Sequence, residues 1–376
     1  MTGSADYQGD KVLIVISSSS VGGAQTHVEW LAQNAQPYHA VVMCPEGYLF
    51  DQLRLAGIEV YPEKNFFLSV AQMASIIIKR KIKVVHAHLL RAALFSTLAC
   101  LFTPRTRLIY TVHNHVVYPG MKTWKRLTFP MLTRLVSPRI GRFIAVSNHI
   151  GDYLVKTLKI PAGKLSVIHN GVSFMELEMA AERGDSQQLV RSLPAGSRII
   201  GAVGRVVYQK GHDVLVRAFG QLAVEFSNLH CVIVGGGEWT THILSLAERL
   251  GVGERVHLLG FRRDVLNIFR SMDVVVFPSR FEGLPISVIE AAYSGKPIVA
   301  TDIEGINDIV QNDFSGILVP SDNSEALATA IRKFLVDSYL SELMGERARN
   351  LARARFSIEE CLRRTKQVYE SVINAG

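Results

Sequence analysis

Residues 11–32 read KVLIVISSSSVGGAQTHVEWLA. The run KVLIVI is short, apolar and rich in β-branched residues, the pattern of a strand covered on both faces. Gly22 and Gly23 interrupt it, and residues 24–31 open a helix. Strand, glycine-bearing turn and helix make one step of a parallel sheet wrapped by helices. Apolar runs at 39–44, 84–86, 108–112 and 143–146 repeat the step, with helix-like segments between them.

The plan then starts again. IIGAVGR (199–205) opens a second series, with strand-like runs at 229–234, 256–259, 274–277, 297–301 and 316–319. Helical patterns occupy 213–226, 240–250, 265–272, 285–294 and 325–336. Between the series lie VIHNGV (167–172) and a polar, Glu-rich segment to about residue 197. The expected fold class is α/β: two Rossmann-like domains, 1–172 and 173–356, facing each other across a cleft. A last helix over 358–373, with Ser357 as N-cap and Glu360 three residues on, is expected to pack back on the first domain as part of 357–376. Open parallel sheets bind ligands beyond the carboxyl ends of their strands, so the crevice between the halves is the expected active site.

A chain of 376 residues suits two ordinary cores. With 48% hydrophobic and 20% charged residues it is globular rather than disordered. Neither 12–16 nor 92–104 reaches the ~20 apolar residues of a membrane-spanning helix. Asp6 and Asp10, without a basic start, argue against a secretory signal, so a cytoplasmic location is expected. Cys44, Cys100, Cys231 and Cys361 stand far apart and lack a C-x-x-C pair, so buried core thiols are expected rather than zinc ligands or disulfides.

The net charge of +8 is uneven: residues 1–172 carry +11 and the remainder −3. No acid occurs between Glu63 and Asp152, an interval with thirteen cations from Lys79 to Arg142. Such bias points to an anionic partner, whether membrane surface, nucleic acid or phosphorylated substrate. Within it, residues 121–139 (MKTWKRLTFPMLTRLVSPR) mix Trp124, Phe129, Met131, Leu132 and Leu135 with five cations, the composition of a segment lying at a membrane interface. Pro130 is expected to bend or end any helix there. The competing reading is apolar core beside solvated cations.

Residues 278–302, PSRFEGLPISVIEAAYSGKPIVATD, hold the most chemistry. A strand ends at Phe277-Pro278, and Glu282-Gly283-Leu284-Pro285 turns into a helix, with Pro285 suited to its first turn. Glu290 follows Glu282 by eight residues, about one turn into that helix. The N–H groups of Gly283 and Leu284 are expected at the helix start, where free donors and the dipole favour a phosphate. Two solvated glutamates beside a helix start would read the same, but the neighbours weigh against that. GRVVYQKG (204–211) brings Gly204, Arg205 and Lys210 to a strand exit, where the two cations suit a diphosphate. Their bland counterpart is a pair of surface charges. Gly22-Gly23 allow a ligand close to the backbone, or are an ordinary turn.

Taken in order, GG (22–23), HNGV (169–172), GRxxxxKG (204–211), PSxxEGLP (278–285) and the E-x7-E spacing of Glu282 and Glu290 resemble the retaining glycosyltransferases of family 4, the group 1 enzymes of GT-B fold. The likeness covers roughly 11–336. It implies an acceptor-side first domain and a nucleotide-sugar-binding second domain. It implies that Glu290 hydrogen-bonds the donor's ribose, Glu282 orients the donor sugar, and Arg205 and Lys210 neutralise the diphosphate. His113, in YTVHNH, matches the histidine near the anomeric carbon. His88, in HAH, matches a structural position behind the cleft. Phe261 and Arg262, in GFRR, fall where the base is held, largely by backbone. One departure stands out: where many relatives have GGxxE, this chain has EGIND, with Glu304 for a glycine and Asp308 for the glutamate.

The implied activity is transfer of a hexose, with retention, from a nucleotide-diphosphate sugar to a glycan or lipid-linked acceptor in polysaccharide biosynthesis. No D-x-D occurs, so neither a metal nor any other cofactor is expected, and cations take the metal's part. The first domain is expected to dock on an anionic membrane, making the protein peripheral at the inner face. The alternatives are a nucleotide-sugar epimerase or phosphorylase on the same fold, against which the EGLP…E element argues, and a basic nucleic-acid-binding protein. For the latter no recognised motif appears, and no nucleic-acid partner is expected. A dinucleotide oxidoreductase would need a G-x-G-x-x-G after residues 11–16, which is missing.

Overall fold

The computed structural model describes residues 9–114, 121–184 and 192–375. The first eight residues, read above for a signal, and 185–191 of the polar segment lie outside the described residues. The chain divides into two compact units: the described residues to Gly171 with those from Ile358 on, and Val172–Ser357.

In the first unit one parallel sheet is built from β1 (Lys11–Ile16), β2 (His39–Cys44), β3 (Glu59–Pro62), β4 (Ile82–His88), β5 (Arg107–Val112), β6 (Arg142–Ala145) and β7 (Leu165–Val167). Its order is β3-β2-β1-β4-β5-β6-β7. Val12, Leu13, Ile14, Val15 and Ile16 are buried, as a strand sandwiched by helices must be. In the second unit β8 (Arg198–Val203), β9 (Leu229–Val234), β10 (Val256–Leu258), β11 (Val274–Phe277), β12 (Ile298–Thr301) and β13 (Ile317–Val319) follow the order β10-β9-β8-β11-β12-β13, again parallel. Its core joins Phe219, Ile233, Val276, Val299, Ile331 and Phe334.

Each order reverses direction once, at β1/β4 and at β8/β11. Chain leaving two neighbouring strands on opposite sides of a sheet opens a crevice at their carboxyl ends, and that is where doubly wound sheets bind ligands. The topology alone therefore selects the loops after β1, β4, β8 and β11.

Two short edge strands escaped the sequence reading. β3 is EVYP, partly exposed and closed by Pro62, and β7 is only LSV. The helix Ser338–Arg355, dominated by arginine and glutamate, was also unread. The last helix, Ile358–Asn374, belongs to the first unit and buries Tyr369 there. The four cysteines are buried and unpaired.

The helix Thr123–Val136 runs through Pro130 instead of ending there. Proline costs it only the N–H bond to residue 126 and a clash that neighbouring turns absorb. Thr128 and Thr133 hydroxyls bond the carbonyls of Trp124 and Phe129 at 2.9 Å, helping hold the turns on either side. Among the described residues no helix is long and apolar enough to cross a membrane.

Candidate active site

In the second unit the expected residues gather at the β8/β11 switch point. Gly204 and Arg205 follow β8, and a short turn, Tyr208–Lys210, carries Lys210 back. Gly211 closes that turn at φ 64°, where a Cβ would collide with the Pro278 carbonyl, so only glycine lets the two loops meet. Glu282 lies in the loop after β11, buried. Its Oε1 accepts from Lys210 Nζ at 2.6 Å and from Ser279 Oγ at 2.8 Å, and its Oε2 accepts from Gln209 Nε2 at 3.3 Å. Gln209 Oε1 in turn accepts from Arg205 Nη2 at 3.4 Å.

Gln209 and Ser279 were not singled out from sequence, and neither was Arg280. That guanidinium grips Asp213 with both nitrogens (3.0 and 2.9 Å), takes Asp322 at 2.7 Å, and stacks 4.1 Å over the Tyr208 ring. It staples the loop after β8 to the loop after β11. No spacing rule predicts the Arg280 contacts, because its partners Tyr208, Asp213 and Asp322 lie 72, 67 and 42 positions away.

The expected diphosphate clamp is thus half pre-engaged. Lys210 spends one of its three donors on Glu282 and keeps two, while Arg205 is exposed. Gly283 and Leu284 lie at the start of the next helix, just before its N-cap; Pro285, suited from sequence to the first turn, is the N-cap itself, and the helix begins at Ile286. Glu290 lies within that helix, partly buried, and burial pushes its carboxyl up to about 8. Beside this loop, Gly305 at φ 86° leaves no room for a Cβ against the Gly283 carbonyl, and Asp308 Oδ2 is buried without a hydrogen-bond partner among the described residues. Phe261 is exposed, but Arg262 is committed to Asp264 by two bonds of 2.8 and 2.7 Å. Its guanidinium is occupied within its own loop.

In the first unit Gly22 caps the helix Gly23–Gln33 at φ 173°, an extended conformation open to any residue, so neither glycine is required there by backbone strain. His113 follows β5 and His88 ends β4. Their rings meet through Nε2 of His113 and Nδ1 of His88 at 2.9 Å. His27 lies edge-on to His113, with centroids 5.3 Å apart. His86 shares bonds with Tyr369 Oη (2.8 Å) and Thr111 Oγ1 (2.6 Å). Desolvation lowers all four imidazoles, His27 to about 4 and His86 to about 3. Among the described residues no group of three or more His, Cys, Asp or Glu is arranged to hold a metal ion.

The cations of the acid-free interval divide. Arg80 and Arg91 pair with Glu59 and Glu63. Arg134, Arg139 and Arg142 bond backbone carbonyls, capping loops and helix ends. The helix Thr123–Val136 leaves Trp124, Leu127, Met131 and Leu135 exposed, at 58–73%. Their spacing puts them on one face, with Lys122 and Arg126 exposed at the N-terminal end.

Known proteins resemble the chain along most of its length. The profile "Glycosyl transferases group 1" matches residues 186–351, and "Glycosyltransferase Family 4" matches 21–174. A UDP-Gal:alpha-D-GlcNAc-diphosphoundecaprenol alpha-1,3-galactosyltransferase of Escherichia coli is 26% identical over 311 residues, 81% of this chain and 80% of that protein. The capsular polysaccharide biosynthesis glycosyltransferase CapM of Staphylococcus aureus is 24% identical over 372 residues, 96% of each chain. The crystal structure of Anabaena HepE with UDP-glucose superposes with a TM-score of 0.85 at 21% identity, covering 96% of this chain and 99% of that one. That likeness shows a shared GT-B fold of two Rossmann-like parallel-sheet domains.

Proposed function

We propose, for a chain that belongs to the group 1 glycosyltransferases, that it moves a sugar from a nucleotide-diphosphate donor to a lipid-linked or glycan acceptor with retention of configuration. The observation that carries this is the buried Glu282 carboxylate held by Lys210, Ser279 and Gln209 at the β8/β11 switch point. The two remaining donors of Lys210, with Arg205, meet charge developing on the departing diphosphate. Preorganised cations, Lys210 half-buried and Arg205 at the surface, do this without reorganising at the moment of reaction. Glu282 receives the sugar's hydroxyls, Glu290 the ribose hydroxyls, and the Gly283 and Leu284 N–H groups a phosphate. Phe261 and Arg262 meet the base through backbone. Gly22, Gly23 and the His113 side chain also take part in holding the donor. Glu304 and Asp308, departing from the common pattern, are where sugar choice is set.

No metal takes part in this reading, because the cations supply the charge. The acceptor is membrane-borne: the E. coli relative, by its name, acts on a diphosphoundecaprenol-linked sugar. The exposed stripe of the helix Thr123–Val136, set among unopposed cations, suits an anionic bilayer surface at the inner face of the membrane.

The test is transfer from an isotopically labelled nucleotide sugar in excess chelator, with the anomer of the first product read by NMR. The retained anomer, formed in EDTA, is the expected result. The inverted anomer would overturn retention, and activity lost in EDTA and restored by manganese would overturn the metal-free mechanism.

A further inference from the structure

Four histidines of the first unit lie within contact of one another. His88 is fully buried and His113 nearly so. Their rings are 29° from parallel with centroids 5.2 Å apart, and the facing nitrogens are 2.9 Å apart. Nearly coplanar rings that touch nitrogen to nitrogen are hydrogen-bonded end to end. Such a bond holds one proton between two nitrogens, so exactly one of the two rings donates.

The orphaned atom settles which. His88 Nε2 is buried and has no hydrogen-bond partner among the described residues. If His113 donated, the His88 proton would sit on Nε2, and a buried N–H would be left without an acceptor. Native structures avoid orphaned donors more strictly than orphaned acceptors. If His88 donates from Nδ1, its Nε2 is a bare lone pair, and His113 must carry its own proton on Nδ1.

We propose that His88 is a positioning residue that fixes the tautomer of His113, so that His113 meets the donor sugar through Nδ1–H as a neutral hydrogen-bond donor and never as a base. The role rests on the reading of His113 given under Proposed function. The titratable groups around the pair are His27 on the helix Gly23–Gln33, His86 on β4 beside His88, and, through His86, Tyr369 on the last helix. Each brings another imidazole or phenol and none a carboxylate, so the surroundings oppose a positive charge on His113. His27, edge-on at 5.3 Å, also restricts the ring's rotation.

Nitrogen-15 NMR of the full chain labelled at histidine tests this first, with the His113 signals found by comparison with His113→Asn. The expected result is a protonated Nδ1 and a bare Nε2 on His113, unchanged from pH 8 to pH 6. A proton on Nε2 overturns the proposal. Kinetics test the consequence. His88→Leu removes the donor, and kcat is expected to fall by roughly tenfold or more with the donor KM little changed. His88→Asn places an amide N–H where Nδ1 was and is expected to recover most of the turnover. Equal loss in the two variants overturns the positioning role. An active His113→Ala enzyme would instead remove His113 from the sugar site, while the nitrogen shifts still reported the pair.

Discussion

At the scale of single residues, the two carboxylates of the site, eight residues apart, are held in different ways. Glu282 is buried and accepts from a cation and two neutral donors. Glu290 is lifted to about 8 by desolvation alone. Ribose hydroxyls donate to an ionised carboxylate more strongly than to a protonated one. Donor affinity should therefore rise between pH 6 and pH 9 and lose that slope in Glu290→Gln, as read by calorimetry. Stability follows the opposite course. Between pH 4.5 and 8 the folded state keeps a proton on Glu290 that the unfolded state has lost, so this residue's contribution falls as pH rises through that window. Glu290→Gln should thus gain melting temperature over the parent at pH 9 and not at pH 4. An equal gain at both would place the shift elsewhere. Lys210→Ala should cost about 3 kcal/mol of stability, because it strands the Glu282 carboxylate. Lys210→Ala/Glu282→Gln should recover much of that in thermal unfolding without recovering turnover.

At the scale of elements, the sequence was most legible where a strand is buried on both sides. The runs at 39–44, 229–234 and 274–277 match β2, β9 and β11 end to end. It was least legible at sheet edges, where β3 and β7 have little apolar area to announce them. Of the candidate site, Glu282, Glu290, Arg205 and Lys210 could be read because their motifs are local. Gln209, Arg280 and the His88–His113 bond could not, because each depends on a partner that only the folded sheet delivers, while Ser279 lies inside a legible motif but its bond to Glu282 depends on how that loop turns. Arg262 was legible as a position and misleading as a charge, since Asp264 two residues on consumes it.

Two elements carry their own predictions. The Tyr369 hydroxyl ties the last helix to His86, so Tyr369→Phe strands a buried ring nitrogen and should cost about 1–3 kcal/mol in denaturant unfolding. No loss would mean that the helix is held by apolar contact alone. The helix Thr123–Val136 should bring the protein down with anionic vesicles at low salt. Changing Trp124, Leu127, Met131 and Leu135 to serine should abolish that association. Changing Lys122, Lys125 and Arg126 to glutamate should weaken it by about 1 kcal/mol per charge. Equal binding to neutral vesicles, or none to either, would return the stripe to an ordinary exposed surface.

At the scale of the whole molecule, the same doubly wound plan is used twice and loaded differently. The first unit buries imidazoles at its switch point, the second a carboxylate paired with a half-buried lysine. This difference should appear on acidification. His27, His86, His88 and His113 are held neutral below their usual range. The unfolded chain takes up protons first, and stability is lost as pH falls from about 6.5 towards 4. Hydrogen exchange should show β4 and β5 losing protection over that range before β8 and β11 do.

The central claim is that the loops after β8 and β11, with Glu290 in the helix that follows, form the donor site. Calorimetric titration of nucleotide-diphosphate sugars in EDTA tests it most directly, with the parent protein beside Glu290→Ala. One-to-one binding of at least one such sugar is expected, weakened by about 1.5–3 kcal/mol, roughly tenfold to a hundredfold, when the carboxylate is removed. Unchanged affinity in Glu290→Ala would contradict it.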